Sequence, residues 1–456
     1  MARPGFDYDA EPRRDRKAPD PHHMDPVQDM LLLCHFETRS LAAGLMSVAS
    51  HLERNGVAVE IVHEQLERRI DPTFELAAYA EQVGARAVGL SLHWAHQTAA
   101  TLKQARAIKE RLPQVYVFVG GLTAATFARQ IVEGYPFIDS VVVGDGEEPA
   151  LRLMRALESG DLRRLSTVPN LVHRVGEVIE ATPRSYQVDK EAVASLDYGR
   201  YDLMRHGLAH ARGMEGLMSA FFDQPAYFQP TGKGCAFRCT YCGGSYDAQG
   251  ITAGRKSVLY RPAEAVVREI AQQVGRGCRS VFFCFDPAPD GKYYPRLFER
   301  IRAEIPGPLN CGFSSWRLPG PALRDALKQT FEKSYVELSP EVADESLRLA
   351  AKGKGACFTN AELESTLEAL VAAGIGVEIY FSYFHSGDPE RETIDTIDYI
   401  QHLTGRFGRR ITPLFLALST DPAATRTSTR RKGSRFWCGP FRITSAPAHA
   451  RISAAT

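Results

Sequence analysis

The chain has 456 residues, 44% hydrophobic and 24% charged, which excludes a wholly disordered, collagen-like or coiled-coil protein and is enough for two to four domains. Lys plus Arg (55) and Asp plus Glu (54) balance to +1, so no global field draws the chain to nucleic acid or an anionic membrane, and a small-molecule or peptide substrate is the expected partner. No run of 18 apolar residues occurs and no apolar stretch follows Met1, so a cytoplasmic location is expected.

In chain order, residues 1–28 carry Pro4, Pro12, Pro19, Pro21 and Pro26 among charges, with no apolar period, and read as a disordered tail. From Met30 short β-rich runs alternate with amphipathic helical stretches. Strands are expected at 31–36, 57–63, 87–93, 115–121 and 140–145, with helices at 40–54, 74–84, 97–112, 123–134 and 148–158. Five βα units over 29–160 predict a flavodoxin-like, doubly wound α/β domain with its ligand at the carboxyl ends of the strands. Residues 161–224 read as a connecting segment, with a hairpin over 170–181 turning at Val175-Gly176. A second alternating series spans 225–418. Its strands are expected at 226–231, 280–286, 309–314, 335–339, 377–383 and 411–418, with helices at 262–275, 293–304, 320–332, 342–351, 360–373 and 390–405. Six successive units predict a (βα)6 partial barrel with its site at the strand carboxyl ends. Residues 419–456 predict a disordered tail; from Pro422 onward there are seven basic residues and no acidic one, without the aromatic interleaving of a nucleic-acid site.

Nine cysteines are too few for a disulfide scaffold in a chain of this length. Six are scattered singly and read as small buried hydrophobes. Cys235, Cys239 and Cys242 instead form CxxxCxxC within TGKGCAFRCTYCGGS, just after the first strand of the second series. Thiolates suit zinc or an iron-sulfur cluster. A structural zinc site needs a fourth ligand, and no second CxxC or HxxxH pair follows nearby. Three thiolates can hold three irons of a 4Fe-4S cluster and leave the fourth open.

CxxxCxxC with Tyr241 before the last Cys, after strand one of a six-unit βα series, resembles the radical S-adenosylmethionine (SAM) superfamily. The resemblance implies that Cys235, Cys239 and Cys242 ligate the cluster and that SAM chelates the open iron and is cleaved to a 5'-deoxyadenosyl radical. It further implies that Tyr241 packs near the adenine and that Gly243 and Gly244 admit the SAM methionyl end. It points to Glu337, Ser339 and Glu341 of VELSPE as SAM-binding candidates and to GVEIYF as an adenine-contacting stretch. For Glu337 an ion pair with a neighbouring basic residue is an equal alternative. An electron donor such as flavodoxin or ferredoxin is implied as a partner.

The first domain could hold a flavin, a nicotinamide or a corrinoid. GDGEEP (144–149) is GxGxxP rather than GxGxxG and follows the fifth strand, so the dinucleotide fingerprint fails. The domain order resembles cobalamin-binding radical SAM proteins, which implies cobalamin lined by Ser91, Gly120, Gly121, Gly144 and Gly146; each glycine taken alone is also ordinary turn geometry. The DxHxxG motif that supplies a histidine to cobalt is absent, because Leu33 and Thr38 flank His35. His35 therefore reads as a strand-end histidine, and cobalamin without a protein ligand is the expectation. The resemblance covers roughly residues 29–418. Relatives usually continue with a segment that packs over the substrate, which implies an open site here, one completed by another chain, or a sequence truncated relative to a functional ancestor. The expected activity is a cobalamin-dependent radical SAM methyltransferase acting on an unactivated carbon. The alternatives are a rearrangement or cyclisation enzyme using cobalamin without methyl transfer, and a non-catalytic metal-binding protein.

Overall fold

The structure, a computed structural model, describes residues 30–35, 43–207, 226–285, 290–383, 385–417 and 424. The tails expected at 1–28 and 419–456 lie outside the described residues apart from Ala424, as do Phe36, Thr38, Leu418 and Cys438.

The first sheet contains β1 (Met30–His35), β2 (Val59–His63), β3 (Ala85–Ser91), β4 (Tyr116–Gly120), β5 (Ser140–Val142), β6 (Leu171–Val175) and β7 (Val178–Ala181). Their order is β2-β1-β3-β4-β5-β6-β7. The first five strands are parallel, in the flavodoxin-like order, and the last two add antiparallel. Alternation along β1 explains the two covered faces. Leu31 and Leu33 pack with Met46, Leu52, Leu153 and Met154 of the helices Ala43–Arg54 and Glu147–Glu158. Leu32 and Cys34 point the other way, into a core with Leu102, Ala105 and Ile108 of Thr98–Arg111. The hairpin expected within the connecting segment is thus an extension of this sheet, because Ser140 and Val142 pair with His173 and Leu171. Its turn passes through Gly176 and Glu177, with Val175 opposite Val178.

The second sheet is built from β8 (Tyr227–Gln229), β11 (Ser280–Phe283), β12 (Asn310–Ser315), β13 (Ser334–Glu341), β14 (Gly376–Tyr383) and β15 (Ile411–Ala417), all parallel in the order β8-β11-β12-β13-β14-β15. Strand order follows chain order, as in a (βα)6 barrel, and among the described residues β8 and β15 are the unpaired edges of the sheet. A small ribbon, β9 (Gly232–Lys233) with β10 (Leu259–Tyr260), follows β8. Val281, Phe283, Phe313, Val336, Leu338, Val377, Ile379 and Phe381 pack outward on the helices, in a core continuous with the first face of the N-terminal sheet. The alternate residues, including Phe282, Ser314, Glu337, Tyr380 and Ser382, therefore line the opposite, inner face.

Candidate active site

The cysteine loop leaves the ribbon at Gly234, whose φ is 95°. A Cβ there would lie 2.1 Å from the Ser257 carbonyl oxygen, so only glycine lets the ribbon close immediately before Cys235. The loop then turns on itself. Tyr246 N donates to Phe237 O at 2.8 Å, and Ser245 caps the helix Tyr246–Thr252 by accepting from Ala248 N. Its outer side docks on the end of the helix Glu345–Lys352, where Thr240 N donates to Ala351 O at 2.8 Å. That helix is held by Arg348, fully buried, which donates to the carbonyls of Pro340 (3.1 Å), Phe358 (2.8 Å) and Val342 (2.6 Å) and to Asn360 Oδ1 (2.7 Å).

All three thiols are partly exposed. Cys235 Sγ accepts from Phe237 N at 3.4 Å and Cys242 Sγ from Gly244 N at 3.3 Å, the backbone donors that favour thiolate sulfur. Burial pushes the Cys239 thiol up, and the Lys352 ammonium opposes that rise. Among the described residues no three His, Cys, Asp or Glu side chains converge on one metal ion. A four-iron cluster makes a different demand, since each thiolate holds its own iron and the sulfurs need only surround a cube. Three partly exposed thiols on one short loop, two of them with backbone donors, fit that demand.

Tyr241 points from the loop into the barrel mouth. Its hydroxyl donates to Glu341 Oε1 at 2.8 Å, and the other Glu341 oxygen accepts from Ser382 Oγ at 2.6 Å. Ser382 Oγ is also 2.8 Å from His385 Nε2, and the His385 ring meets the Tyr241 ring edge-on at 5.4 Å. Glu341 has φ 70° at an irregularity in the β13–β14 register, which aims its carboxylate at the loop. The Ser339 carbonyl accepts from the Lys352 ammonium. Ser382, His385 and Lys352 were not singled out in the sequence. Ser382 was open to inference, because it shares strand parity with Glu378 and Tyr380.

Deeper on the inner face, Glu337 stands directly opposite Glu378 and beside Ser314. Tyr380 OH lies 3.4 Å from Glu337 Oε1. Burial, then the Glu378 charge, push the Glu337 carboxyl up to about 7. Among the described residues no basic side chain is among the groups that act on Glu337, which are Glu378, Ser314 and Tyr380. Below lies an aromatic floor of Phe228, Phe282 and Tyr335.

At the edge of the first sheet, Ser91 and Gly120 are neighbours in register. A Cβ on Gly120 would meet nothing closer than Val142 O at 4.0 Å, so that edge is open to a ligand. Gly121 has φ 117° and a Cβ there would lie 2.7 Å from the Leu92 backbone, a close approach that accounts for the glycine by itself. Gly146 caps the helix Glu147–Glu158, and Gly144 faces Ala253 of the second domain. His35 is 5% exposed, its ring 5.1 Å from that of His63, and burial followed by His63 lowers its pKa to about 3.

Two family models match the chain: the B12 binding domain over residues 32–154 and the Radical SAM superfamily over residues 230–400. The chain thus carries a B12-binding domain followed by a radical SAM domain. Among curated proteins, a hopanoid C-3 methylase of Methylococcus capsulatus is 30% identical over 135 residues, which is 29% of this chain and 25% of that protein. An anaerobic magnesium-protoporphyrin IX monomethyl ester cyclase of Synechocystis is 26% identical over 137 residues, 30% of this chain and 24% of that protein. The matched segment thus spans about a quarter of either relative. Among solved structures, the radical S-adenosylmethionine methyltransferase TsrM of Kitasatospora setae, with cobalamin and a 4Fe-4S cluster bound, superposes with a TM-score of 0.68 at 17% identity, covering 88% of this chain and 77% of that one. The same enzyme with tryptophan and a SAM analogue gives 0.65 at 18% identity over 87% and 75%. These are likenesses of fold.

Proposed function

We propose that this radical SAM protein is a cobalamin-dependent methyltransferase acting on an unactivated carbon of a small-molecule or peptide substrate. The observation that carries the reading is the meeting of two carboxyl edges. The helix Tyr246–Thr252, directly after the cysteines, lies against the helix Leu122–Thr126 after β4, and Ala253 meets Gly144 after β5. Parallel sheets of both kinds bind ligands at those edges, so cofactors held there share one gap with the substrate. When bound, cluster and SAM supply one-electron bond cleavage and cobalamin carries the methyl group.

The residues have separable tasks. Cys235, Cys239 and Cys242 hold the cluster, while Gly243 and Gly244 leave room for the SAM methionyl end. The Tyr241–Glu341–Ser382–His385 network holds the mouth in one geometry where the adenosyl group enters, with Ser339 and Glu337 farther along β13. Ser91 and Gly120 line the corrin edge, with Gly121, Gly144 and Gly146 shaping the adjoining loops. Residues 29–160 form the cobalamin unit, whose sheet is extended by the hairpin of the connecting segment 161–224, and residues 225–418 form the radical SAM core. A flavodoxin or ferredoxin supplies the electron, in the cytoplasm. Among the described residues no helix is long and apolar enough to cross a membrane. A ring-forming reaction is the second reading, favoured by the cyclase among the relatives.

Anaerobic turnover with SAM and candidate substrates tests the proposal. Methyl transfer yields S-adenosylhomocysteine and 5'-deoxyadenosine in near-equal amounts with a methylated product, and Cys239→Ala yields neither. Deoxyadenosine alone would assign the ring-forming reading, and turnover surviving in Cys239→Ala would exclude both.

A further inference from the structure

The loop after β5 and the ribbon before the cysteines are joined by a charge-balanced network. Lys233 Nζ lies 3.0 Å from Asp145 Oδ1 and 2.8 Å from Glu147 Oε1. The other Asp145 oxygen pairs with the Arg255 guanidinium and accepts from Val188 N at 2.8 Å. Arg255 also donates to Val188 O at 3.1 Å, and Ser47 Oγ donates to Glu147 Oε1 at 2.8 Å. Glu147 is 1% exposed and Arg255 3%. Burial works against the charge on Lys233, yet Glu147 and Asp145 hold its pKa above the ordinary lysine value. Two carboxylates thus meet two cations across the boundary between the B12-binding domain and the radical SAM core. Around them the contact is close: a Cβ on Gly144 would sit 3.3 Å from Ala253 Cα, Gln187 Nε2 donates to Ala253 O at 2.8 Å, and Arg184 Nη1 donates to Ile251 O at 2.9 Å.

We propose that Asp145, Glu147, Lys233 and Arg255 are positioning residues, a latch that sets the separation and orientation of the two cofactor sites. A buried ion network is satisfied in one relative placement, whereas an apolar contact tolerates sliding; its use here is to specify geometry. The placement matters because both ends are short levers. Asp145 lies in the strand-end loop of the cobalamin site and Glu147 opens the helix that follows it, and Lys233 is two residues before Cys235. A shift at the latch passes through one or two peptide units to each cofactor, and transfer between oriented groups depends steeply on their spacing. The inference rests on the cofactor assignment proposed above.

The test compares the full chain with Lys233→Met and Lys233→Arg. Without cofactors, hydrogen–deuterium exchange in peptides covering 142–148 and 232–236 should rise at least about tenfold in Lys233→Met and return to the wild-type rate in Lys233→Arg, with β12 to β14 unchanged. With both cofactors loaded, the electron paramagnetic resonance spectrum of the reduced cluster should show magnetic coupling to cob(II)alamin in wild type and Lys233→Arg, and two uncoupled signals in Lys233→Met. Unchanged exchange in Lys233→Met overturns the latch. Faster exchange with the coupling intact overturns the positioning role and leaves only a contribution to stability. Absence of either signal in the wild-type chain defeats the cofactor assignment instead, and exchange alone then decides whether the latch exists.

Discussion

Glu337 and Glu378 face each other across β13 and β14 on the side of the sheet that no helix covers among the described residues. Strand parity puts both carboxylates in the barrel, and burial followed by like charge explains why Glu337 keeps its proton to about pH 7 rather than the ordinary 4.5. Between those two values the folded chain binds more protons than the unfolded chain. Stability from this group is therefore complete below the unfolded value and is lost as pH rises through the folded one, by on the order of 3 kcal/mol in total. Glu337→Gln, neutral throughout, should remove that slope. Urea midpoints at about pH 5 and about pH 7 measure it, and an identical drop in wild type and variant would show that the proton sits elsewhere. The sequence identified Glu337 but left an ion pair with a basic residue open. Which residue lies opposite depends on sheet register, and alternation along one strand does not report it.

Elements position the cysteines through contacts distant in sequence. The helix Glu345–Lys352 receives the loop at its last turn, and Arg348 fastens that helix to the end of β13 and to Phe358 and Asn360. Arg348→Met matches the length but removes every donor and strands buried carbonyls. It should cost about 3 to 5 kcal/mol and reduce iron uptake after reconstitution. Thermal denaturation and iron content measure this; a stable variant with full iron loading would mean that the loop is held from its other side. The longer strands and helices of both domains were readable because each repeats an apolar period over several residues, whereas the seven-residue helices Glu64–Ile70 and Tyr246–Thr252 were not, and the helix expected at 123–134 is broken at Phe127. The ribbon β9–β10 was not, since two-residue strands carry no period. The hairpin was readable as a hairpin, but its membership of the first sheet depends on pairing with β5.

At the scale of the whole molecule, one continuous core joins the first face of the N-terminal sheet to the outer face of the second, and the two carboxyl edges meet at the cysteine loop. His35, buried edge-on against His63 and held neutral by that burial, ends β1 without the DxHxxG frame that would orient a ligand to cobalt. The full chain should take up hydroxocobalamin, and His35→Ala should bind it equally well. After reduction, the cob(II)alamin resonance should lack nitrogen splitting from a protein histidine in both. Splitting present in wild type and lost in His35→Ala would make His35 the ligand.

The amino-acid sequence by itself determined the order of the βα units, the three clustered thiols, the missing dinucleotide and cobalt-histidine motifs, and hence the pairing of a B12-type domain with a radical SAM core. Those features are local: periodicity, spacing and turn chemistry act within a few residues. Tertiary structure alone decided that Lys233 meets Asp145 and Glu147, that Tyr241 meets Glu341, and that Glu337 meets a second carboxylate. Each partner lies some 40 to 100 residues away, and such contacts are set by sheet register and domain docking, where the combined burial of many side chains selects one arrangement that no single segment encodes.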